Sequence, residues 1–136
     1  MKPIFVDTSA LIALGNKRDK YHHQAIEINN FLKQANVNYF ITSAIILEFG
    51  NAFSPVNLKR TAIQIIDSIN MSKKWKRIDI NKSYIEKGFQ KYKKFQDKDW
   101  GLVDCTSMII ALEFGIKEIF TADKHFEQAG FKILLK

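Results

Sequence analysis

The residues best placed for chemistry are four acids from distant parts of the chain: Asp7, Glu48, Asp104 and Asp123. Asp7 and Asp123 each follow a short apolar segment that is typical of a buried strand. Glu48 falls in the first half of a helix that follows another strand, and Asp104 falls near the start of a helix. Ligands of open α/β sheets bind beyond the carboxyl ends of the strands, and helices that follow strands begin at that edge. We therefore expect the four carboxylates to meet at one edge of a sheet.

Such a cluster predicts a metal site. Like charges repel, so clustered acids without a basic neighbour need either raised pKa values or a cation. Oxygen ligands alone suit Mg²⁺ or Mn²⁺ better than zinc. An ion of this kind activates water and stabilises the leaving oxygen when a phosphodiester is cleaved.

Each acid also has a simpler interpretation, which its position alone leaves open. Asp7 and Asp123 suit helix N-caps, and Asp104 suits the positive end of a helix dipole. Glu48 could be a solvated charge, although it lies in an otherwise apolar stretch.

The elements that must position these acids alternate along the chain. Five strands are predicted, at about 3–6, 39–42, 75–80, 118–121 and 131–135. Six helices are predicted, at about 9–14, 20–35, 44–53, 58–71, 82–95 and 100–114; Ser43 caps the third, Asn57 the fourth and Asp99 the sixth. Short strands that alternate with helices predict an α/β fold in three layers, α/β/α, with a central, mainly parallel sheet. The length of 136 residues suits a single domain over 1–136.

Composition narrows the class of protein and of partner. The net charge of +7 favours a polyanionic partner. The single cysteine, Cys105, excludes an internal disulfide, and no zinc motif or glycine-rich phosphate loop is present. No apolar run approaches the ~20 residues of a membrane span. We expect a cytoplasmic protein.

Basic and aromatic residues supply candidate nucleic-acid contacts. Lys87, Lys91 and Lys94 recur at helical spacing on one face, where they could bind backbone phosphates, and Trp75 (or Trp100) could stack on an unpaired base. A solvated helix face is the alternative for the lysines. His125 follows Asp123 closely and could touch a substrate phosphate, but packing or surface exposure is the role we expect for it.

Three segments carry a family resemblance. They are residues 5–9 (FVDTS), residues 42–51 with Glu48 and Asn51, and residues 99–107 (DWGLVDCTS) followed by 121–126 (TADKHF). In order, spacing and strand context the chain resembles PIN-domain nucleases, and more closely the VapC-like toxins of prokaryotic toxin–antitoxin pairs. The middle of the chain, about 57–98, carries no motif.

The resemblance implies roles for individual residues. The expected metal-binding acids are Asp7, Glu48, Asp104 and Asp123, with Asp99 as an auxiliary acid. The expected supporting residues are Thr8, Ser9, Asn51 and Thr121. Cys105 stands where alanine is common in such proteins, and we expect no functional change from it.

The activity implied by the resemblance is that of an endoribonuclease dependent on Mg²⁺ (or Mn²⁺), which leaves 5′-phosphate and 3′-hydroxyl ends. The implied partners are an RNA substrate, a small antitoxin that covers the site, and a second copy in a homodimer. One alternative is a non-catalytic RNA-binding module with a PIN-like fold. A phosphatase with Asp7 as nucleophile is a further alternative, but such enzymes carry a second acid two residues later, where this chain has Ser9.

Overall fold

A computed structural model describes residues 2–136 and contains one five-stranded sheet. The strands are β1 (Pro3–Val6), β2 (Asn38–Thr42), β3 (Trp75–Ile78), β4 (Glu118–Phe120) and β5 (Lys132–Ile133). Their order in the sheet is β3-β2-β1-β4-β5, and every neighbouring pair is parallel. All five carboxyl ends therefore lie along the same edge, as the site requires.

Seven helices accompany the strands. They are α1 (Thr8–Gly15), α2 (His22–Gln34), α3 (Ser43–Ala52), α4 (Val56–Met71), α5 (Lys82–Lys94), α6 (Leu102–Glu113) and α7 (Lys124–Gln128). The α/β fold class with three α/β/α layers, expected from the sequence, is confirmed. Within residues 2–136 no helix has the length and hydropathy that crossing a membrane requires.

Strand β1 occupies the centre of the sheet and fixes the position of Asp7. Its residues Ile4, Phe5 and Val6 are fully buried, as expected for a parallel strand covered on both faces. β2 flanks β1 on one side and β4 on the other, with Val6 opposite Phe120. The residues that follow β1 and β4 are consequently neighbours, although more than a hundred positions separate them in the chain.

The start of α6 differs from the sequence prediction. Asp99 does not cap this helix, which begins at Leu102 with Gly101 as its N-cap. The reason is Asp104, whose Oδ2 reaches back and accepts a hydrogen bond of 3.0 Å from the Gly101 amide. This contact satisfies an amide at the helix start, so Asp99 is left exposed in the preceding segment.

Two other helices also begin differently from the sequence prediction. Thr42, not Ser43, caps α3 by accepting from the Ile45 amide at 3.2 Å, while the Ser43 hydroxyl accepts from the Ile80 amide instead. Helix α4 begins before Asn57, after Pro55. Helix α7 has no counterpart among the predicted helices, because its five residues are too few to show a periodic apolar pattern.

Gly88 allows α5 and α6 to pack closely, and its replacement should be costly. A Cβ at Gly88 would lie 2.3 Å from Thr106 Oγ1 and 3.2 Å from the Thr106 backbone. We expect Gly88→Ala to lower the free energy of unfolding by roughly 1–3 kcal/mol through overpacking. Gly50→Ala in α3 is the matched control, since its Cβ would meet nothing within 4 Å, and it should stabilise by about 0.5–1 kcal/mol. Urea unfolding of both variants measures the contrast, and equal shifts would contradict this packing.

Candidate active site

Asp7 is the buried centre of the site. Its residue is 6% exposed, and it occupies the N-cap position of α1 without a side-chain capping hydrogen bond. Its Oδ2 instead accepts a hydrogen bond of 2.8 Å from the Thr121 hydroxyl, which follows β4. The carboxylate is thus aimed across the sheet edge toward the residues after β4.

A chain of hydroxyls fixes this orientation. The Thr121 hydroxyl has one proton, which it gives to Asp7, so Ser9 is the donor in the 2.8 Å contact between Ser9 and Thr121. The same hydroxyls accept from the backbone, Ser9 from the Ala122 amide and Thr121 from the Asp123 amide, each at 3.0 Å. The turn after β4 is therefore bonded to the turn after β1 through side chains.

Removing the Thr121 hydroxyl should damage both stability and the site. Thr121→Val leaves the Asp123 amide and Ser9 without their partner, and we expect a loss of roughly 1–3 kcal/mol in the free energy of unfolding. Residues that orient metal ligands typically contribute about 10–100-fold to affinity or activity. Thr121→Ser keeps the hydroxyl and should retain most of both. Urea unfolding and RNA-cleavage rates of the two variants test this; equal behaviour of the two variants would contradict it.

Asp104, Asp123 and His125 form a second group within the site, with ligand atoms within 4.8 Å of one another. His125 Nδ1 lies 3.1 Å from Asp104 Oδ2 and 3.3 Å from Asp123 Oδ1. Asp123 is also the N-cap of α7, since its Oδ1 accepts from the His125 amide at 2.9 Å. Asp104 Oδ1 and Asp123 Oδ2 make no hydrogen bond to any residue of 2–136 and remain available to a ligand.

His125 is the member of this site that sequence analysis did not include among the site residues. The expected roles were packing or surface exposure, but the short helix α7 turns the imidazole back onto the two acids. Its position two residues after Asp123 was the available signal, because a residue in the first turn after a strand lies at the same edge as the acid that caps it.

Glu48 and Asp99 lie at the periphery. Both are exposed. Glu48 is joined to the site by Thr8, whose hydroxyl donates to Glu48 Oε1 at 2.5 Å. Asp99 makes no such bond within residues 2–136, but its charge acts on His125. Asn51 lies one turn beyond Glu48 on α3 and is exposed.

The electrostatics of the site follow first from burial and then from the nearby charges. Burial raises the pKa of Asp7 from 3.8 to about 7, against the lowering effect of the Thr121 hydroxyl and the Thr8 backbone; the charges of Asp104 and Asp123 raise it further. For His125, partial burial lowers the pKa, but the hydrogen bond to Asp104 and the charges of Asp123, Asp104 and Asp99 outweigh it, so the net pKa is raised. The site has an excess of negative charge.

The donor set fits a hard divalent cation. Within residues 2–136 no Lys or Arg forms an ion pair with Asp7, Asp104 or Asp123. The basic side chain beside Asp104 and Asp123 is His125, and carboxylate oxygens crowded together in this way are the usual ligands of Mg²⁺ and Mn²⁺. The pKa of Asp7 is raised because the carboxyl group is buried and no neighbouring Lys or Arg among these residues offsets the effect of burial.

The residues proposed for RNA contact do not form one group in the structure. Lys87, Lys91 and Lys94 line one cleft of α5, but the Lys91 ammonium already lies over the rings of Phe95 and Trp100, at 5.1 and 5.7 Å. Trp100 is buried and donates to Gln128.

Trp75 lies away from the acids. It begins β3, at the amino end of a parallel strand, whereas the acids lie beyond the carboxyl ends. One face of its ring is stacked on Tyr39 with centroids 4.4 Å apart. The structure therefore does not bring Trp75 together with the acid cluster.

The chain is similar to known proteins in its sequence and in its fold. The family model for the PIN domain matches residues 4–132. The chain is similar in structure to VapC20 of Mycobacterium tuberculosis, described as a Sarcin-Ricin loop cleaving toxin, with a TM-score of 0.81, 24% identity and coverage of 94% of this chain and 95% of that one. None of the curated proteins matches the chain.

Two complexes contain similar chains. VapBC2 from Rickettsia felis, bound to a DNA fragment from its promoter, gives a TM-score of 0.65 at 15% identity, with 96% of each chain covered. FitAcB from Neisseria gonorrhoeae gives 0.68 at 12% identity, again with 96% of each chain covered. These likenesses concern the fold, and the family match spans nearly the whole sequence. The chain belongs to the PIN domain family.

Proposed function

We propose that this protein is a metal-dependent endoribonuclease. The observation that carries the proposal is the group of acids at the carboxyl edge of the sheet. Asp104 and Asp123 have ligand atoms within 4.8 Å of each other and of His125. The charges of both act on Asp7, which is buried and held by the Thr121 hydroxyl. Membership of the PIN domain family supports nuclease activity, and the net charge of +7 suits a polyanionic substrate.

In this proposal Asp7, Asp104 and Asp123 hold Mg²⁺ or Mn²⁺, and Glu48 contributes directly or through a water. When bound, the ion supplies Lewis-acid activation of water and stabilises the charge that develops on the phosphate oxygens. Thr121 and Ser9 keep Asp7 in one orientation. Asp99 helps to place a second ion or the substrate, and the products carry 5′-phosphate and 3′-hydroxyl ends.

His125 has a positioning role in this scheme. Its contacts with Asp104 and Asp123 reduce the repulsion between the two carboxylates when no ion is bound. Its place beside the acids also suits a contact with a substrate phosphate.

We further propose that the protein is the toxin of a toxin–antitoxin pair, acts in the cytoplasm and forms a homodimer. Support comes from the fold, which is shared with a toxin described as cleaving the Sarcin-Ricin loop and with chains of the VapBC2 and FitAcB complexes. A small antitoxin that covers the acids would silence it.

The first test is cleavage of structured and unstructured RNA by the purified protein, free of any partner. We expect cleavage with Mg²⁺ or Mn²⁺ and none with EDTA. RNA binding without cleavage by the folded, metal-supplied protein would instead favour the non-catalytic RNA-binding module. Induced expression then tests the toxin role, since unimpaired growth with an active nuclease would argue against it.

A further inference from the structure

Three side chains of the site place one ligand atom each within the reach of a single ion. Asp104, Asp123 and His125 offer ligand atoms that all lie within 4.8 Å of one another, and Asp7 is not a member of this group. Among residues 2–136 no other group of three or more His, Cys, Asp or Glu residues meets this condition. The donors around this point are therefore two carboxylates and one imidazole, whereas the sequence predicted carboxylates alone.

The imidazole nitrogen already lies at the spacing of neighbouring metal ligands. His125 Nδ1 is 3.1 Å from Asp104 Oδ2 and 3.3 Å from Asp123 Oδ1. Adjacent ligands of an ion with bonds of about 2.1 Å are about 3.0 Å apart in an octahedral complex and about 3.4 Å apart in a tetrahedral one. An ion can therefore take the place of a proton on Nδ1, and the neutral ring then keeps its proton on Nε2.

Backbone amides hold both carboxylates in this arrangement. The Gly101 amide donates to Asp104 Oδ2 at 3.0 Å, and the His125 amide donates to Asp123 Oδ1 at 2.9 Å. Carboxylates that bind metals are themselves hydrogen-bonded in this way, which orients them before the ion arrives. The side chains of Asp104, Asp123 and His125 are only partly buried, so an ion can reach all three from solvent.

A nitrogen donor changes which ion such a site prefers. Mg²⁺ takes oxygen ligands and gives up its water reluctantly. Imidazole suits the divalent ions of the first transition series better, and their affinity for a site with nitrogen and oxygen donors is lowest for Mn²⁺ and rises along the series to copper. Mn²⁺ is therefore the most demanding probe of this preference, because the later ions should bind more tightly still.

We propose that His125 Nδ1 is a ligand of the ion in the active site, and that the site therefore prefers a divalent transition-metal ion to Mg²⁺. The inference rests on the proposed function and deepens it, because it adds a ligand from outside the acids and selects between the two ions that the sequence left open. In the metal-free protein the same nitrogen pairs with Asp104 and Asp123. The imidazole thus exchanges a contact with the two acids for a bond to the ion that they share.

The first measurement is metal affinity, with Mn²⁺ binding to the metal-stripped protein followed by the EPR signal of the free ion and Mg²⁺ binding followed by competition. We expect the wild type to bind Mn²⁺ at least about tenfold more tightly than Mg²⁺. His125→Ala should weaken Mn²⁺ binding by about tenfold or more and Mg²⁺ binding by less than about threefold. If the imidazole only pairs with the acids, its removal frees both carboxylates and should strengthen the binding of both ions, which would overturn the inference.

Pulsed EPR of the bound Mn²⁺ identifies the donor directly. A coordinated imidazole modulates the electron-spin echo of the ion through its nitrogen nucleus, and we expect this modulation in the wild type and not in His125→Ala. His125→Asn offers an amide oxygen in place of Nδ1, so it should bind Mn²⁺ without the nitrogen modulation and lose most of the preference over Mg²⁺. His23→Ala is the matched control, since His23 is exposed at the start of α2, and it should change neither measurement.

RNA cleavage by the same samples separates this inference from the proposed function. If the wild type binds Mn²⁺ and cleaves RNA but shows no nitrogen modulation, His125 is not a ligand and the nuclease stands. If the wild type binds neither ion and cleaves no RNA, the proposed function falls and the assigned ligand with it. Thermal melting in EDTA checks that each variant is folded, and His125→Asn, which keeps a polar side chain beside the acids, carries the test if His125→Ala is not folded.

Discussion

Asp104→Asn should reduce metal-dependent RNA cleavage by roughly three orders of magnitude. Asp104 offers a free carboxylate oxygen beside Asp123, and its charge also acts on Asp7. An amide keeps the shape but removes the negative charge that holds a cation. Loss of several kcal/mol of transition-state stabilisation corresponds to that factor, at about 1.4 kcal/mol per tenfold change. Single-turnover cleavage of a labelled RNA at saturating protein measures the rate.

Asp67→Asn provides the matched control for this experiment. It makes the same substitution at an exposed position of α4 and should leave the rate unchanged. In the Asp104→Asn protein the Gly101 amide can still donate to the carbonyl oxygen of the substituted side chain, so this variant should melt close to the wild type. Full cleavage by a folded Asp104→Asn protein would refute the carboxylate mechanism.

Asp7→Asn should stabilise the metal-free protein above pH 7. The pKa of Asp7 is raised from 3.8 to about 7 in the folded state, so the folded state binds more protons than the unfolded state between these values. The stability that Asp7 contributes is therefore fully present below about pH 4 and falls as the pH rises to about 7. Asparagine carries no charge, so the variant should be more stable than the wild type at pH 8, on the order of 2–4 kcal/mol, and similar at pH 4.

Urea unfolding in EDTA across this pH range measures the effect. The Thr121→Val variant loses the hydrogen bond to the Asp7 carboxylate, but its Asp7 can still ionise. Its stability should therefore still fall with rising pH, in contrast to that of Asp7→Asn. Added Mg²⁺ should stabilise the wild type at pH 8 and the Asp7→Asn variant far less, since a ligand stabilises only the state that binds it. A wild-type stability that is flat from pH 4 to 8 in EDTA would show that Asp7 is not buried as described.

The sheet could be predicted because its central strand has an unambiguous pattern. Ile4-Phe5-Val6 is too short and too apolar for a surface helix, and the acid that follows it marks the strand's carboxyl end. The same pattern at Ile119-Phe120 predicted β4 and, with it, the meeting of Asp7 and Asp123 at one edge. The parallel orientation of the strands could be predicted from the alternation of strands with helices alone.

The side-chain geometry could not be predicted in the same way. Asp99 is a plausible cap in sequence, but α6 begins later, with Gly101 as its N-cap, because the Asp104 carboxylate reaches the Gly101 amide in three dimensions. The chain of hydrogen bonds from Ser9 through Thr121 to Asp7 joins two turns that are adjacent only in the folded sheet. The placement of His125 depends on α7, which is too short to have a periodic signal.

The strand order also determines when the site can exist during synthesis. β1 and β2 are made early and can pair at once, but the other neighbour of β1 is β4, which is made more than a hundred residues later. Until then β1 is an open edge, and Asp7 has neither Thr121 nor Asp123 beside it. A nascent chain that ends before Asp104 therefore carries only Asp7 and Glu48 of the four acids. The acid group that the proposed chemistry needs is therefore incomplete in any nascent chain that lacks β4 and the residues after it.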